Sequence, residues 1–183
     1  SQFVSALLLI SPFANKGMII RVTTPLESQS FVLMTLECLK LFGIEVKASA
    51  DLREFETVEQ VYRPTRYIVE GDWTSASYLL ALGALGGNII VDNLNPKSLQ
   101  GDKIIIKFLK DMGASVAVKR NSILVKKSRL KAIKANLAEC IDLFPTMAVI
   151  AAVAEGQSQF TGIARARLKE SNRVAAIRGG LEG

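Results

Sequence analysis

Histidine is absent from this chain of 183 residues. Its absence excludes Ser-His-Asp and Cys-His catalysis within the chain, imidazole metal sites, and the one side chain whose unperturbed pKa lies near neutrality. Proton transfer therefore falls to Asp, Glu, Lys or Tyr, with proton affinities moved by burial or neighbouring charge. Cysteine is scarce: Cys38 and Cys140 are too few and too far apart for a disulfide framework or a CxxC site. Long hydrophobic runs are also missing. The longest uncharged apolar stretches, 3–14 and 76–87, fall short of the roughly 18 residues that a membrane span needs. No charged-then-apolar signal peptide opens the chain, so a cytoplasmic protein without membrane attachment is expected. The 49% hydrophobic and 22% charged content excludes disorder, and the length suffices for one ordinary domain or two small ones. Positive charge is in excess, with 23 Lys+Arg against 17 Asp+Glu and a net +6. That balance suits anionic partners, either nucleic acid or phosphorylated and carboxylated small molecules.

What is present is a repeat. Leu39-Lys40-Leu41-Phe42-Gly43 is echoed by Leu109-Lys110-Asp111-Met112-Gly113, an offset of 70. The same offset pairs Ile19-Ile20 with Ile89-Ile90, Ser28 with Ser98, and Asp72 with Asp142; Gly183 lies 70 past Gly113. Each unit opens with an apolar helix (5–12, 75–85, 145–154), expected to be buried nearly all round. Gly86 and Gly156 are placed to end two of these in left-handed caps. A β-branched strand follows at 18–22 and 88–91. Then comes an amphipathic helix carrying Ile104, Ile105, Phe108, Leu109 and Met112 at helical spacing, stopped by Gly43 or Gly113. Two further strands are expected in each unit, at 44–47 and 67–70, then at 115–118 and 123–126, the latter pair joined by a hairpin turn at 119–122. The order is α-β-α-β-β. Gly183 stops where both earlier copies run on into a strand, and Ser1 directly precedes a helix, so the sequence is expected to be part of a longer chain.

Three constellations carry candidate chemistry. Asp72 and Asp142 each stand between an apolar stretch and a helix. The position suits an N-cap, and equally a carboxylate facing a cleft, tuned by helix dipoles and cations. In Lys169-Glu170-Ser171-Asn172-Arg173, a helix over 169–180 places Lys169 and Arg173 four apart on one face with Glu170 between them. Such a run is either a solvated helix start or a phosphate- or carboxylate-binding face with a proton-handling Glu170. Ser1-Gln2 and Ser28-Gln29-Ser30 stand at helix starts, where hydroxyls and amides either cap the helix or bind anions.

In succession, Ser1-Gln2-Phe3, Gly71-Asp72-Trp73-Thr74-Ser75-Ala76-Ser77-Tyr78, Gln100-Gly101-Asp102, Asp142-Leu143-Phe144-Pro145-Thr146 and Lys169-Glu170-Ser171-Asn172-Arg173 resemble the EPSP synthase (3-phosphoshikimate 1-carboxyvinyltransferase) family over essentially the whole chain. The resemblance implies an α/β fold of repeated βαβαββ units, the inside-out α/β barrel of enolpyruvyl transferases, with parts of two lobes present: 1–70 in one and 71–183 in the other. It implies transfer of the enolpyruvyl group from phosphoenolpyruvate to the 5-hydroxyl of shikimate 3-phosphate, with no metal or organic cofactor, no nucleic acid and a monomeric full-length protein.

By the same resemblance, Asp142 takes the 5-hydroxyl proton and Glu170 handles the proton at C3 of phosphoenolpyruvate. Lys169 contacts the shikimate moiety and Arg173 clamps phosphoenolpyruvate. Ser1, Gln2 and Ser28 hold the 3-phosphate, Gln2 also reaching phosphoenolpyruvate. The sequence departs from the family at Phe31 (often Tyr), Gln29-Ser30 (Lys/Arg-Pro), Asn172 (Asp) and Arg165 (Asn in some members). The family's Lys-Ser…Arg segment and its later phosphoenolpyruvate-binding Arg and Lys have no counterpart here, so these 183 residues alone are not expected to turn over. Two rival readings are a UDP-N-acetylglucosamine enolpyruvyl transferase and a basic nucleic-acid-binding domain. The second is suggested by the pI of 9.4 and by Lys126-Lys127-Ser128-Arg129-Leu130-Lys131.

Overall fold

A computed structural model describes all 183 residues. The chain divides into two compact units, Ser1–Val69 and Glu70–Gly183.

The first unit contains helix α1 (Gln2–Ile10), strand β1 (Met18–Arg21), helix α2 (Gln29–Leu41) and strands β2 (Lys47–Ala48) and β3 (Glu54–Thr57). The strands form an antiparallel sheet in the order β1-β3-β2, with Ile20 opposite Phe55 and Ala48 opposite Phe55 on its other side. Alternation explains β3: Phe55 and Thr57 point inward and are buried, while Glu54 and Glu56 face outward. Those two carboxylates pair across the strands with Arg21 at 2.9 Å and Lys47 at 3.3 Å. Phe55 joins Leu8, Ile20, Val32, Leu39 and Ile44 in the core, and burying its ring contributes about 1.5–3 kcal/mol. The expected strand at 67–70 does not form. Tyr67, Ile68 and Val69 have β-forming side chains, but the segment joins no sheet and all three are exposed.

The second unit contains α3 (Trp73–Gly86), β4 (Asn88–Asp92), α4 (Ile105–Asp111), β5 (Ser115–Val118), β6 (Ser122–Lys126), β7 (Lys134–Asn136), α5 (Phe144–Val153), β8 (Gln159–Thr161) and α6 (Arg173–Glu182). Strands β4, β6 and β5 form an antiparallel sheet in that order, and β7 pairs in parallel with β8. The expected 119–122 turn is closed by the Lys119 N–H donating to the Ser122 carbonyl at 2.9 Å. Trp73, Leu80, Ile105, Leu109, Met112, Ile123 and Val125 lie in the core between α3, α4 and the sheet, and Leu143, Met147 and Ile150 carry that core onto α5.

The repeated Leu-Lys-x-x-Gly has a physical cause. At the end of α2, the Gly43 N–H donates to the Lys40 carbonyl and the Ile44 N–H to the Leu39 carbonyl. At the end of α4, Gly113 and Ala114 donate to Lys110 and Leu109 in the same pattern. These are Schellman closures, which need a left-handed residue where Gly43 (φ +79°) and Gly113 (φ +90°) stand. The caps expected at Gly86 and Gly156 are not of this kind. Gly86 is still helical with Gly87 extended beyond it, and Gly156 is left-handed (φ +97°) but follows the end of α5 by three residues. Burial all round also fails for each apolar helix: Tyr78, Leu79 and Leu82 are exposed on α3, Val149 and Val153 on α5, and α1 is the most open. Leu8 is its one fully buried apolar residue, and Phe3, Leu9 and Ile10 are exposed, because α2 and the sheet of its own unit cover a single face.

Candidate active site

Asp72 and Asp142 occupy equivalent repeat positions but have different surroundings. Asp72 caps α3. Its carboxylate accepts from the backbone N–H of Thr74 at 3.1 Å and of Ser75 at 3.0 Å, and from the Ser75 hydroxyl at 2.5 Å. The Gln100 side chain fixes the same helix start, accepting from the Trp73 N–H and donating to Glu70 and to the Gly71 carbonyl. These three bonds hold Asp72 as the cap of α3.

Asp142 makes no cap. It stands in a 3-10 turn, Ile141–Leu143, clamped by the buried side chains of Cys140, Ile141 and Leu143. The approach to this turn is held by the Asn136 carbonyl oxygen of the side chain accepting from the Ala138 N–H at 3.0 Å, and by Arg165 donating to the Ala138 carbonyl. Asp142 then meets two cations: Arg173 Nη1 donates to its Oδ1 at 2.6 Å, and Lys169 Nζ lies 3.4 Å from the same oxygen. The other arm of the Arg173 fork, Nη2, donates to Glu170 Oε2 at 2.8 Å. Asp142 and Arg173 are roughly three-quarters buried, whereas the Glu170 side chain is 76% exposed.

The helix expected over 169–180 begins later. Asn172 caps α6, its side chain accepting from the Ala175 N–H at 3.2 Å, so Arg173 is the first helical residue. Lys169 and Glu170 lie in the irregular segment before it, and they are brought together with Arg173 by Asp142 and the guanidinium fork rather than by a shared helix face. Electrostatics follow from that geometry. Glu170 is held below the ordinary glutamate range by a backbone N–H of its own residue and by Arg173. Arg173 is raised by its hydrogen bond to Glu170, with Asp142 adding to this and burial opposing it.

A cleft of about 360 Å³ opens beside this group. It is lined by Thr74 and Tyr78, one turn apart on α3, by Pro145 of α5, by Arg173, Ala176 and Ile177 of α6, and by Asp142 and Ser171. Behind Thr74 stands Asp102, 5% exposed, accepting the Thr74 hydroxyl hydrogen bond. Sequence reasoning assigned no role to Thr74, Tyr78, Asp102 or Ser171. The i,i+4 spacing of Thr74 and Tyr78 directly after a capping Asp was the available signal. Ser1, Gln2 and Ser28 belong to the first unit. Ser1 is the N-cap of α1 and Gln2 its first residue; Ser28 precedes α2 with a left-handed backbone (φ +53°). No group of three or more Cys, Asp or Glu gathers in a geometry that could hold a metal ion, and no helix is long and apolar enough to cross a membrane.

Residues 1–182 match the family model described as EPSP synthase (3-phosphoshikimate 1-carboxyvinyltransferase). The chain belongs to the EPSP synthase family. A 3-phosphoshikimate 1-carboxyvinyltransferase of Dehalococcoides mccartyi is 46% identical over 181 residues, covering 99% of this chain and 43% of the relative. The EPSP synthase structure from Acinetobacter baumannii superposes with a TM-score of 0.79 at 26% identity, covering all of this chain and 42% of that one. The enolpyruvyl transferase NikO from Streptomyces tendae, at 15% identity and a TM-score of 0.64, shares the fold. The fold is thus the α/β enolpyruvyl transferase fold. The chain spans less than half the length of these EPSP synthases. Neither a UDP-sugar transferase nor a nucleic-acid-binding domain is favoured by these likenesses.

Proposed function

We propose that these residues form part of a complete enzyme, of the length of its EPSP synthase relatives, that transfers the enolpyruvyl group of phosphoenolpyruvate to the 5-hydroxyl of shikimate 3-phosphate in aromatic amino-acid biosynthesis. The observation that carries this reading is the convergence of Lys169 and Arg173 on Asp142 at the mouth of a cleft. Two multiply charged anions repel one another, so a site that joins them needs converging cations before chemistry begins. It also needs proton acceptors, and in a histidine-free chain carboxylates beside those cations supply them.

In the proposed reaction, the Asp142 carboxylate takes the 5-hydroxyl proton as the oxygen bonds to C2 of phosphoenolpyruvate, and C3 gains a proton from the acid form of Glu170. The tetrahedral adduct then loses phosphate. The bond between C2 and the phosphate oxygen breaks, Glu170 takes a proton back from C3, and the double bond re-forms; the proton that Asp142 took from the 5-hydroxyl leaves with the phosphate. Lys169 offsets the charge that develops near the ring oxygen. Glu170 starts as a carboxylate held by Arg173. A substrate carboxylate or phosphate that claims the guanidinium releases Glu170, whose proton affinity then rises so that it takes up a proton from solvent before the addition; the proton it lends to C3 returns to it as phosphate leaves.

Ser1, Gln2 and Ser28, at two helix starts of the first unit, would hold the 3-phosphate through N–H groups and hydroxyls, Gln2 also reaching phosphoenolpyruvate. In this reading, residues 1–70 and 71–183 belong to separate lobes, and the complete enzyme is cytoplasmic and monomeric and uses no metal or organic cofactor. The test is phosphate release by the complete enzyme from shikimate 3-phosphate and phosphoenolpyruvate, with the product identified by mass spectrometry. Asp142→Asn should lower kcat by about 10²–10⁴-fold, the range for removing a general base, while shikimate 3-phosphate still binds. A wild-type enzyme that releases no phosphate, or an Asp142→Asn variant of undiminished rate, would overturn the reading.

A further inference from the structure

The proposed chemistry uses Asp142 and Glu170 and leaves a third carboxylate of the same unit without a task. Asp102 is 5% exposed and does not line the cleft. A carboxylate is seldom buried without a partner, and the partner of Asp102 is the Thr74 hydroxyl, which donates to its Oδ2. Thr74 does line the cleft, together with Arg173 and Asp142. It is anchored twice, its N–H by the Asp72 cap at 3.1 Å and its hydroxyl by Asp102.

A hydroxyl has one proton to donate and two lone pairs. With its proton committed to Asp102, Thr74 Oγ1 can present only lone pairs to the cleft. We propose that Asp102 is a positioning residue that fixes Thr74 as an acceptor on the cleft wall, where it takes a hydrogen bond from a ring hydroxyl of the shikimate substrate. The inference rests on the function proposed above and deepens it, because an acceptor-only wall favours a polyhydroxylated ligand over phosphoenolpyruvate, which has no hydroxyl to offer.

The electrostatics of Asp102 fit an acceptor. Burial raises its carboxyl above the ordinary aspartate value, the Thr74 hydrogen bond opposes this, Asp142 and Asp72 add to it, and Lys169 subtracts. A carboxylate of greater basicity in a drier setting is the stronger acceptor, so the Thr74 proton stays on the Asp102 side.

The experiment measures binding of shikimate 3-phosphate by calorimetry, and the two KM values by phosphate release, in the complete enzyme and in Thr74→Val, Thr74→Ser and Asp102→Asn. Thr74→Val should weaken shikimate 3-phosphate by about tenfold, the loss of one hydrogen bond. Asp102→Asn, whose amide can donate to Thr74 and occupy a lone pair, should weaken it similarly. Thr74→Ser keeps the hydroxyl and should stay within about twofold of wild type, and KM for phosphoenolpyruvate should hold within about twofold throughout. A merely structural role would move both substrates and the melting temperature together, and that result overturns the inference. So does unchanged binding in a folded Thr74→Val; this variant decides alone where Asp102→Asn does not fold. A wild-type enzyme that binds no shikimate 3-phosphate overturns the function itself, whereas normal wild-type binding with no discrimination among the variants overturns only the role of Asp102.

Discussion

Replacing Arg173 by lysine keeps the charge and removes the fork. In the native site, Nη1 donates to Asp142 at 2.6 Å and Nη2 to Glu170 at 2.8 Å. An ammonium is a point charge on a flexible stem and cannot hold both carboxylates in one plane. Removing a partner from a buried pair costs about 3–5 kcal/mol when the remaining charge is orphaned. Asp142 is not orphaned, because Lys169 stays 3.4 Å away, and both Asp142 and Arg173 retain some solvent. The stability loss should therefore be that of one charge-assisted hydrogen bond discounted for screening, about 1–2 kcal/mol. That corresponds to a melting-temperature fall of a few degrees at most. The catalytic loss should be larger. Two directed bonds from the guanidinium to an anionic substrate, together about 3 kcal/mol, amount to roughly 10²-fold in kcat/KM for phosphoenolpyruvate. The assay is phosphate release by the complete enzyme at saturating shikimate 3-phosphate, with melting temperatures from the same preparations. A kcat/KM within about threefold of wild type would refute the clamp. A fall in melting temperature above about 8 °C would show that Arg173 acts through packing instead.

Three further outcomes are expected. Glu170 has a depressed pKa in the folded chain; the stability it contributes is present above the ordinary glutamate range and disappears as pH falls through the folded value. In Arg173→Gln, its side-chain carbon should titrate higher by NMR, closer to an ordinary glutamate, and an unmoved midpoint would deny the pairing. Burial pushes the Cys140 thiol up to about 12, with Asp102 and Glu139 adding to it, so at pH 8 iodoacetamide should modify the half-buried Cys38 at least about tenfold faster; equal rates would contradict the burial. Gly162 is left-handed (φ +72°), and an added Cβ would lie 2.3 Å from Asn136 Oδ1 and 2.7 Å from the Ala138 nitrogen. Gly162→Ala should therefore cost about 2–3 kcal/mol in urea unfolding, whereas Gly180→Ala, in open space on α6, should gain about 0.5–1 kcal/mol. Similar midpoints for the two would refute the steric argument.

The helices and the period of the fold could be read from the sequence because they rest on local causes. Amphipathic spacing defines α4, and Leu-Lys-x-x-Gly closes α2 and α4 by the same two hydrogen bonds. The third strand of the first unit was misplaced because strand formation is settled by partners. Tyr67-Ile68-Val69 has the composition of a strand but joins no sheet, while Glu54–Thr57, richer in charge, lies between β1 and β2. The repeat held the correction: shifting 123–126 back by 70 lands on 53–56. At the site, residue types were legible and their grouping was not. Lys169 and Arg173 do not share a helix, and Thr74 with Asp102 is a contact across 28 residues that no local pattern announces.

The two equivalent aspartates show how one backbone position takes on two tasks. Asp72 spends its oxygens on Ser75, accepting from both the N–H and the hydroxyl of that residue, and on the N–H of Thr74. Seventy residues on, the place of Ser75 is taken by Pro145, which has neither an N–H nor a hydroxyl to give. The cap around Asp142 thereby loses two of its three donors, yet α5 still starts, since proline is well suited to a first turn where the N–H would go unused. A carboxylate left without helix donors in a half-buried turn must find other partners, and the irregular segment before α6 supplies Lys169 and Arg173. The repeat fixes where the carboxylate stands. A single proline, absent from the preceding copy, turns it from a structural cap into a charged group facing a cleft.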